Sequence, residues 1–231
     1  MNASAQLLPA PLEVTLALAE RDRWLIASFA ETVRACSWAI VGGGLADVRH
    51  VAWLEVRNGD LRPSVDPARM LTERLHARGL HFAVGLLTSA NIAHYIDDSA
   101  EQGGVTARCL ATVGLGNALR AGDPPWLACR IGTINTMVYI DTPLTDEALL
   151  EASAIATEAK CAAVLEAGVR SRISGRPATG TGTDCTVVAC ARSNARGAPY
   201  AGKHTAIGSV VGGAVESAIA EGVRRWKETS P

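Results

Sequence analysis

Aromatic side chains are scarce in this chain: five Trp, three Tyr and two Phe among 231 residues. A core of this size must therefore be built mainly from Ala, Val, Leu and Ile. Net charge is almost absent as well, at −1, which leaves no electrostatic footprint for nucleic acid or an anionic membrane. The basic pair Arg224-Arg225 reads as the solvated end of a helix, where cations complement the dipole. No Cys-x-x-Cys pair occurs among the six cysteines, and none has zinc spacing with the five histidines. The cysteines read as reduced small hydrophobes, no metal site is expected, and a reducing cytoplasm fits best. No basic residue precedes Arg21 and Glu13 interrupts the first apolar stretch, so a signal peptide is not expected. The longest window without Asp, Glu, Lys or Arg, residues 79–96, carries His81, Thr88, Ser89, Asn91 and His94, which argues against a membrane span. Long linkers, repeats and low-complexity segments are missing too, so one domain over residues 1–231 is expected.

What is present is globular: 48% apolar against 19% charged residues. Leu12, Val14, Leu16 and Leu18 alternate with Glu13, Thr15 and Ala17, the period of a half-buried strand. A turn at Arg21-Asp22 then leads to a second strand at 24–29. Further strands are expected at 37–41 and 48–56, separated by Gly42-Gly43-Gly44, and others at 81–87, 105–113, 134–140 and 185–191. Asp66-Pro67 starts a helix that Gly79 ends, and a second helix runs from about Asp146, with acid in its first turn, to Ala167, with Gly168 as its stop. A last helix spans about 205–226, where Gly208, Gly212 and Gly213 cost roughly 1 kcal/mol each relative to Ala. Close backbone packing would compensate for them. Strands first and helices interspersed later suggest an α/β or α+β fold, a single-domain layered sandwich of mixed β-sheet with packed helices.

Three segments put Thr, Gly and an amide or acid at or beside a strand end: Ala111-Thr-Val-Gly-Leu-Gly-Asn117, Gly132-Thr-Ile-Asn135 and Ala178-Thr-Gly-Thr-Gly-Thr-Asp184. Each alone is ordinary turn chemistry. Together they point to one convergent site at the ends of strands. Lys203-His204 stands where the last helix begins, a position the dipole disfavours for cations. Such a pair is either solvated or aimed at an anion or carbonyl. Within Ala156-Thr-Glu-Ala-Lys160, Glu158 and Lys160 are two apart and point to different helix faces.

These motifs, with Ser37-Trp-Ala-Ile-Val-Gly-Gly-Gly44, Leu144-Thr-Asp146 and Tyr200-Ala-Gly-Lys-His-Thr205, resemble the adenosylcobinamide amidohydrolase family of corrinoid salvage enzymes over roughly residues 12–225. The resemblance implies hydrolysis of the amide that joins the corrin ring to aminopropanol, giving adenosylcobyric acid and 1-amino-2-propanol. It implies a small-molecule corrinoid as partner and no cofactor, the cobalt belonging to the substrate. A homo-oligomer is compatible with it.

Amide hydrolysis needs an activated nucleophile, donors for the oxyanion and a proton for the leaving amine. Asp184 is the candidate base, acting on water or on Thr183, with Glu158 as its competitor. The N–H groups of Gly180 and Gly182 are candidate oxyanion donors, and His204 or Lys203 the proton source. Asn117 and Asn135 are candidate orienters, and Thr181 and Lys160 complete the expected substrate contacts. An internal threonine lacks the free amine that activates an N-terminal one. Two rivals remain: a non-catalytic corrinoid- or anion-binding module using the Gly/Thr loop as a nest, and a structural subunit whose Gly-rich last helix is the contact surface.

Overall fold

The computed structural model describes residues 12–20, 22–57, 59–125, 132–194 and 196–229. It contains one eight-stranded mixed sheet, a two-stranded ribbon and three helices. Strand β1 (Leu12–Ala19) pairs antiparallel with β2 (Asp22–Ser37). The expected strands at 24–29 and 37–41 are a correction. β2 is one 16-residue strand that ends at Ser37, and 38–40 is loop. A register shift between Ser28 and Val33 absorbs the exposed Glu31, so polar residues that break the alternation do not end the strand. The bend lets one edge of β2 pair first with β1 and then with β10 (Cys185–Cys190).

β3 (Gly44–Glu55) follows antiparallel to β2, and helix α1 (Pro67–Ala77) crosses over to the parallel strand β4 (Ala83–Thr88). The helix starts as its sequence dictates: the Asp66 carboxylate accepts from the N–H groups of Ala68 and Arg69, and Pro67 occupies the first turn. Leu71 and Leu75 bury its inner face, each worth about 1.5–3 kcal/mol of apolar burial.

A 3-10 turn at Ile92–His94 leads to β5 (Ile96–Gln102), whose acidic sequence gave no strand signal. Its place explains this, because an edge strand tolerates Asp97, Asp98 and Glu101. It forms a hairpin with β6 (Val105–Val113). The ribbon strand β7 (Ala118–Leu119) precedes β8 (Ile134–Ile140), which is buried at every position. Helix α2 (Asp146–Glu166), capped by Thr145, then carries the chain past β9 (Gly180–Thr181) to β10, parallel to β8. Finally α3 (Ala206–Thr229) packs on α2, β5 and β6. It is long and apolar enough to cross a membrane by length and composition, yet its apolar residues lie in this core.

The sheet curls over itself. Residues of β2, β3 and β4 form one continuous apolar layer with β6, β8 and β10, and the Phe29 and Tyr139 rings meet at 5.4 Å. Helices α2 and α3 cover the outer face of β5, β6, β8 and β10, and α1 covers that of β2 and β3. Four layers result. Glycine does bring α3 close, at Gly208 rather than at Gly212 or Gly213. A Cβ on Gly208 would lie 2.2 Å from the Gly202 carbonyl oxygen, and one on Gly222 2.4 Å from a Val113 methyl.

Candidate active site

Where the edge of β4 meets the starts of β8 and β10, a cleft of about 700 Å³ opens between the two halves of the sheet. One wall is apolar, from Trp38, Ile40, Val56, Leu61, Pro67, Leu86 and Leu87. The other presents Asn117, Thr133, Asn135, Gly182, Thr183 and Asp184. The three Gly/Thr segments singled out in the sequence converge here.

Asp184 organises the polar wall. Its Oδ1 accepts from the Ile134 N–H at 3.0 Å and the Thr181 hydroxyl at 2.5 Å; its Oδ2 accepts from the Thr181 N–H at 3.1 Å and the Lys160 ammonium at 2.5 Å. Four donors fill the four lone-pair positions of a carboxylate. The Lys160 and Asp184 side chains are only 7% and 8% exposed, so the cation balances a charge that burial would otherwise make costly. Gly180 is obligatory beside them. A Cβ there would stand 2.1 Å from Asp184 Oδ2 and 3.2 Å from Lys160 Nζ.

The loop is fixed from several sides. Thr183 donates its hydroxyl to the Gly132 carbonyl at 2.9 Å, and the single Thr133 hydroxyl proton is shared between the Thr183 carbonyl at 2.9 Å and Asn135 Oδ1 at 3.0 Å. Asn135 Nδ2 donates to the Leu87 carbonyl at 2.7 Å and so ties β8 to β4 across the cleft. Antiparallel pairing of β7 with β9 holds Gly180 and Thr181 against Leu119 and Ala118. Asn117 is buried, with Oδ1 lacking a hydrogen-bond partner. Its Nδ2 lies 3.7 Å from where a Cβ on Gly182 would stand. Cys185 also lines the cleft; burial pushes its thiol up to about 12, so it is protonated near neutrality.

Of the residues expected to act, Asp184, Thr183, Gly182, Asn117 and Asn135 line the cleft. Thr181 and Lys160 stand behind Asp184 and touch its carboxylate, so Lys160 holds the acid instead of lining the cleft as a substrate contact would. Gly180 is engaged in the ribbon. Lys203, His204 and Glu158 are not brought to the cleft: Lys203 pairs with Glu158 on the surface, where their side chains are 72% and 56% exposed, and His204, next to Lys203 in sequence, is exposed. The structure thus brings the Gly/Thr loops and both asparagines to one cleft and leaves Lys203, His204 and Glu158 outside it. The turn before α3 is built for packing, with the Ala201 N–H donating to Glu151 and the Thr205 hydroxyl accepting from the Gly208 N–H. Among the described residues no group of three or more His, Cys, Asp or Glu is arranged to hold a metal ion.

Trp38 and Thr133 also line the cleft, though the sequence did not single them out individually. Both stand inside quoted motifs, and an indole shortly before three glycines in a chain poor in aromatics was the available signal.

A family model of adenosylcobinamide amidohydrolase matches residues 9–231. The chain belongs to the adenosylcobinamide amidohydrolase family. It is 30% identical over 192 residues to the adenosylcobinamide amidohydrolase of Methanosarcina mazei, covering 79% of this chain and 86% of that protein. An uncharacterised protein of Methanocaldococcus jannaschii is 38% identical over 93 residues, 40% of this chain, and the match spans 36% of that protein's length. Among solved structures, the PH0078 protein from Pyrococcus horikoshii OT3 aligns with TM-score 0.47 at 14% identity, over 93% of this chain and 84% of that one. A Burkholderia sp. beta-aminopeptidase aligns with TM-score 0.44 at 16% identity, over 92% and 82%. Membership places the chain among hydrolases of amide C–N bonds.

Proposed function

We propose that this protein hydrolyses the amide between the corrin ring's propionyl side chain and aminopropanol in adenosylcobinamide. Water adds to the carbonyl carbon, the C–N bond breaks, and adenosylcobyric acid and 1-amino-2-propanol leave, returning the corrinoid to cobamide synthesis. The observation that carries this reading is the two-faced cleft, apolar on one side and lined on the other by Asp184, a carboxylate held in place by four donors.

Asp184 is the base in this reading. With every lone pair engaged, it accepts a proton only when one donor yields, and the Thr181 hydroxyl is the donor that can rotate away. Lys160 keeps the pair neutral overall, and the Thr183 hydroxyl and the attacking water share the face of the cleft beside it. The amide end of Asn117 lies close to the Gly182 backbone, its Nδ2 3.7 Å from where a Cβ on that glycine would stand, and in this reading the two supply the oxyanion donors. The free cysteines among the described residues accord with a reducing cytoplasm.

The decisive experiment incubates purified protein with adenosylcobinamide and measures released 1-amino-2-propanol together with the new corrinoid carboxylate. Release in equal amounts supports the reading. Corrinoid bound without release would overturn it in favour of a binding module.

A further inference from the structure

The chain's aromatic poverty makes its placement of indoles informative. Trp24 and Trp53 are wholly buried in the core, whereas Trp38 is 51% exposed and faces the cleft. Burying an indole is among the largest single gains of apolar contact available to a chain, and this one is withheld from the core. Ile40, two residues on, is 52% exposed and lines the same wall.

The segment that carries them is tied down by hydrogen bonds near both ends. The Trp38 indole N–H donates to the backbone carbonyl of Asp184 at 2.8 Å, which fixes the ring beside the acid. Val41 bridges to Gly85 on β4, and the Gly85 N–H donates to the Val41 carbonyl at 3.0 Å. Gly42, at φ +68°, passes so near β4 that a Cβ would lie 2.4 Å from the Ala83 carbonyl oxygen. An exposed aromatic held in one orientation has lost its freedom before any ligand arrives, so a ligand gains its contact at low entropic cost.

We propose that Trp38, with Ile40, is the platform on which the apolar flank of the substrate's macrocycle rests, while the amide side chain reaches across to Asp184. This rests on the reading of the substrate as a corrinoid and adds the residues that select for it. The wall matches a ligand with a broad, partly apolar ring system and amides along its rim. A linear amide would leave that wall uncovered. The hydrogen bond from the indole to Asp184 further links ring occupancy to the position of the acid.

The test is equilibrium dialysis of adenosylcobyric acid, followed by its visible absorbance, against wild type, Trp38→Ala and Trp38→Phe, with circular dichroism to confirm folding. Trp38→Ala is expected to weaken binding about 10- to 100-fold, the usual loss for a stacking aromatic. Trp38→Phe keeps a ring but no N–H donor and is expected to stay within about threefold of wild type. With adenosylcobinamide as substrate, KM should rise in Trp38→Ala by more than kcat falls. Ile40→Ala, which leaves the indole bond intact, should weaken binding about threefold to tenfold and carries the test if Trp38→Ala does not fold. Unchanged binding in Trp38→Ala, or equal losses in the Phe and Ala variants, overturns the platform, since the second result assigns the indole to holding the Asp184 carbonyl. Aminopropanol release by wild type alongside either result leaves the proposed activity standing. Wild type that neither binds nor cleaves a corrinoid overturns both.

Discussion

Helix α2 carries two ion pairs that use the same chemistry in opposite surroundings. Lys160 meets Asp184 in the core, and two residues earlier Glu158 meets Lys203 at the surface. In sequence, both pairs join α2 to a glycine-bearing motif further along the chain, with Asp184 the expected base, Glu158 its competitor, Lys203 a candidate proton source and Lys160 a substrate contact. Burial separates them. The inner pair is satisfied by backbone and hydroxyl donors and stands at the cleft, whereas the outer pair is bathed in solvent and closes nothing. A charge becomes chemically useful where water has been replaced by fixed donors, and a helix delivers that only on the face it turns inward.

The sharpest way to break this comparison is to remove the cation from each pair. Lys160→Met leaves the Asp184 carboxylate buried without its counter-charge and is expected to lose about 3–5 kcal/mol of unfolding free energy. Urea denaturation measures it, and a loss below 1 kcal/mol would mean that the pair is far more hydrated than its burial implies. Asp184→Asn comes next. It keeps the shape of the site and is expected to lower turnover of adenosylcobinamide by two orders of magnitude or more. Near-normal kcat in a folded Asp184→Asn protein removes this acid from the mechanism.

Asn117→Ala sharpens the same contrast from the other side of the cleft. Its Oδ1 already lacks a partner, so removing it forfeits little stability, within about 1 kcal/mol. If its Nδ2 is an oxyanion donor as proposed, its loss should still cost roughly 100- to 1,000-fold in kcat. Equal falls in stability and activity would mark Asn117 as a packing residue.

Much of the fold was legible because periodicity and caps act locally. β6 and β8 were read to the residue from their apolar runs, and α1 from Asp66, Pro67 and Gly79. The full length of β2 was not legible, since its bulge is paid for by pairing with strands distant in sequence. Edge strand β5 was invisible because its polar face answers to solvent and to α3. At the site, the Gly/Thr loops and Asp184 announced themselves by composition. The four donors to that acid did not, because the Ile134 N–H and the Lys160 ammonium arrive from other elements, and a backbone donor has no signature in any sequence.

The smallest expected effect tests the comparison most directly. Lys203→Met removes an exposed partner from an exposed pair, and such pairs contribute about 0–1 kcal/mol. Unfolding free energy should change by about 0.5 kcal/mol or less, and 0.5 M NaCl should diminish even that difference because salt screens surface charge. Turnover by Lys203→Met and by His204→Gln should stay within about twofold of wild type, since neither residue lines the cleft and the packing of their turn rests on Glu151 and Thr205 instead. A tenfold fall in kcat in either variant, with stability preserved, would show that the start of α3 reaches the reacting amide in the complex. The two ion pairs of α2 would then belong to one site, and burial would no longer be what distinguishes them.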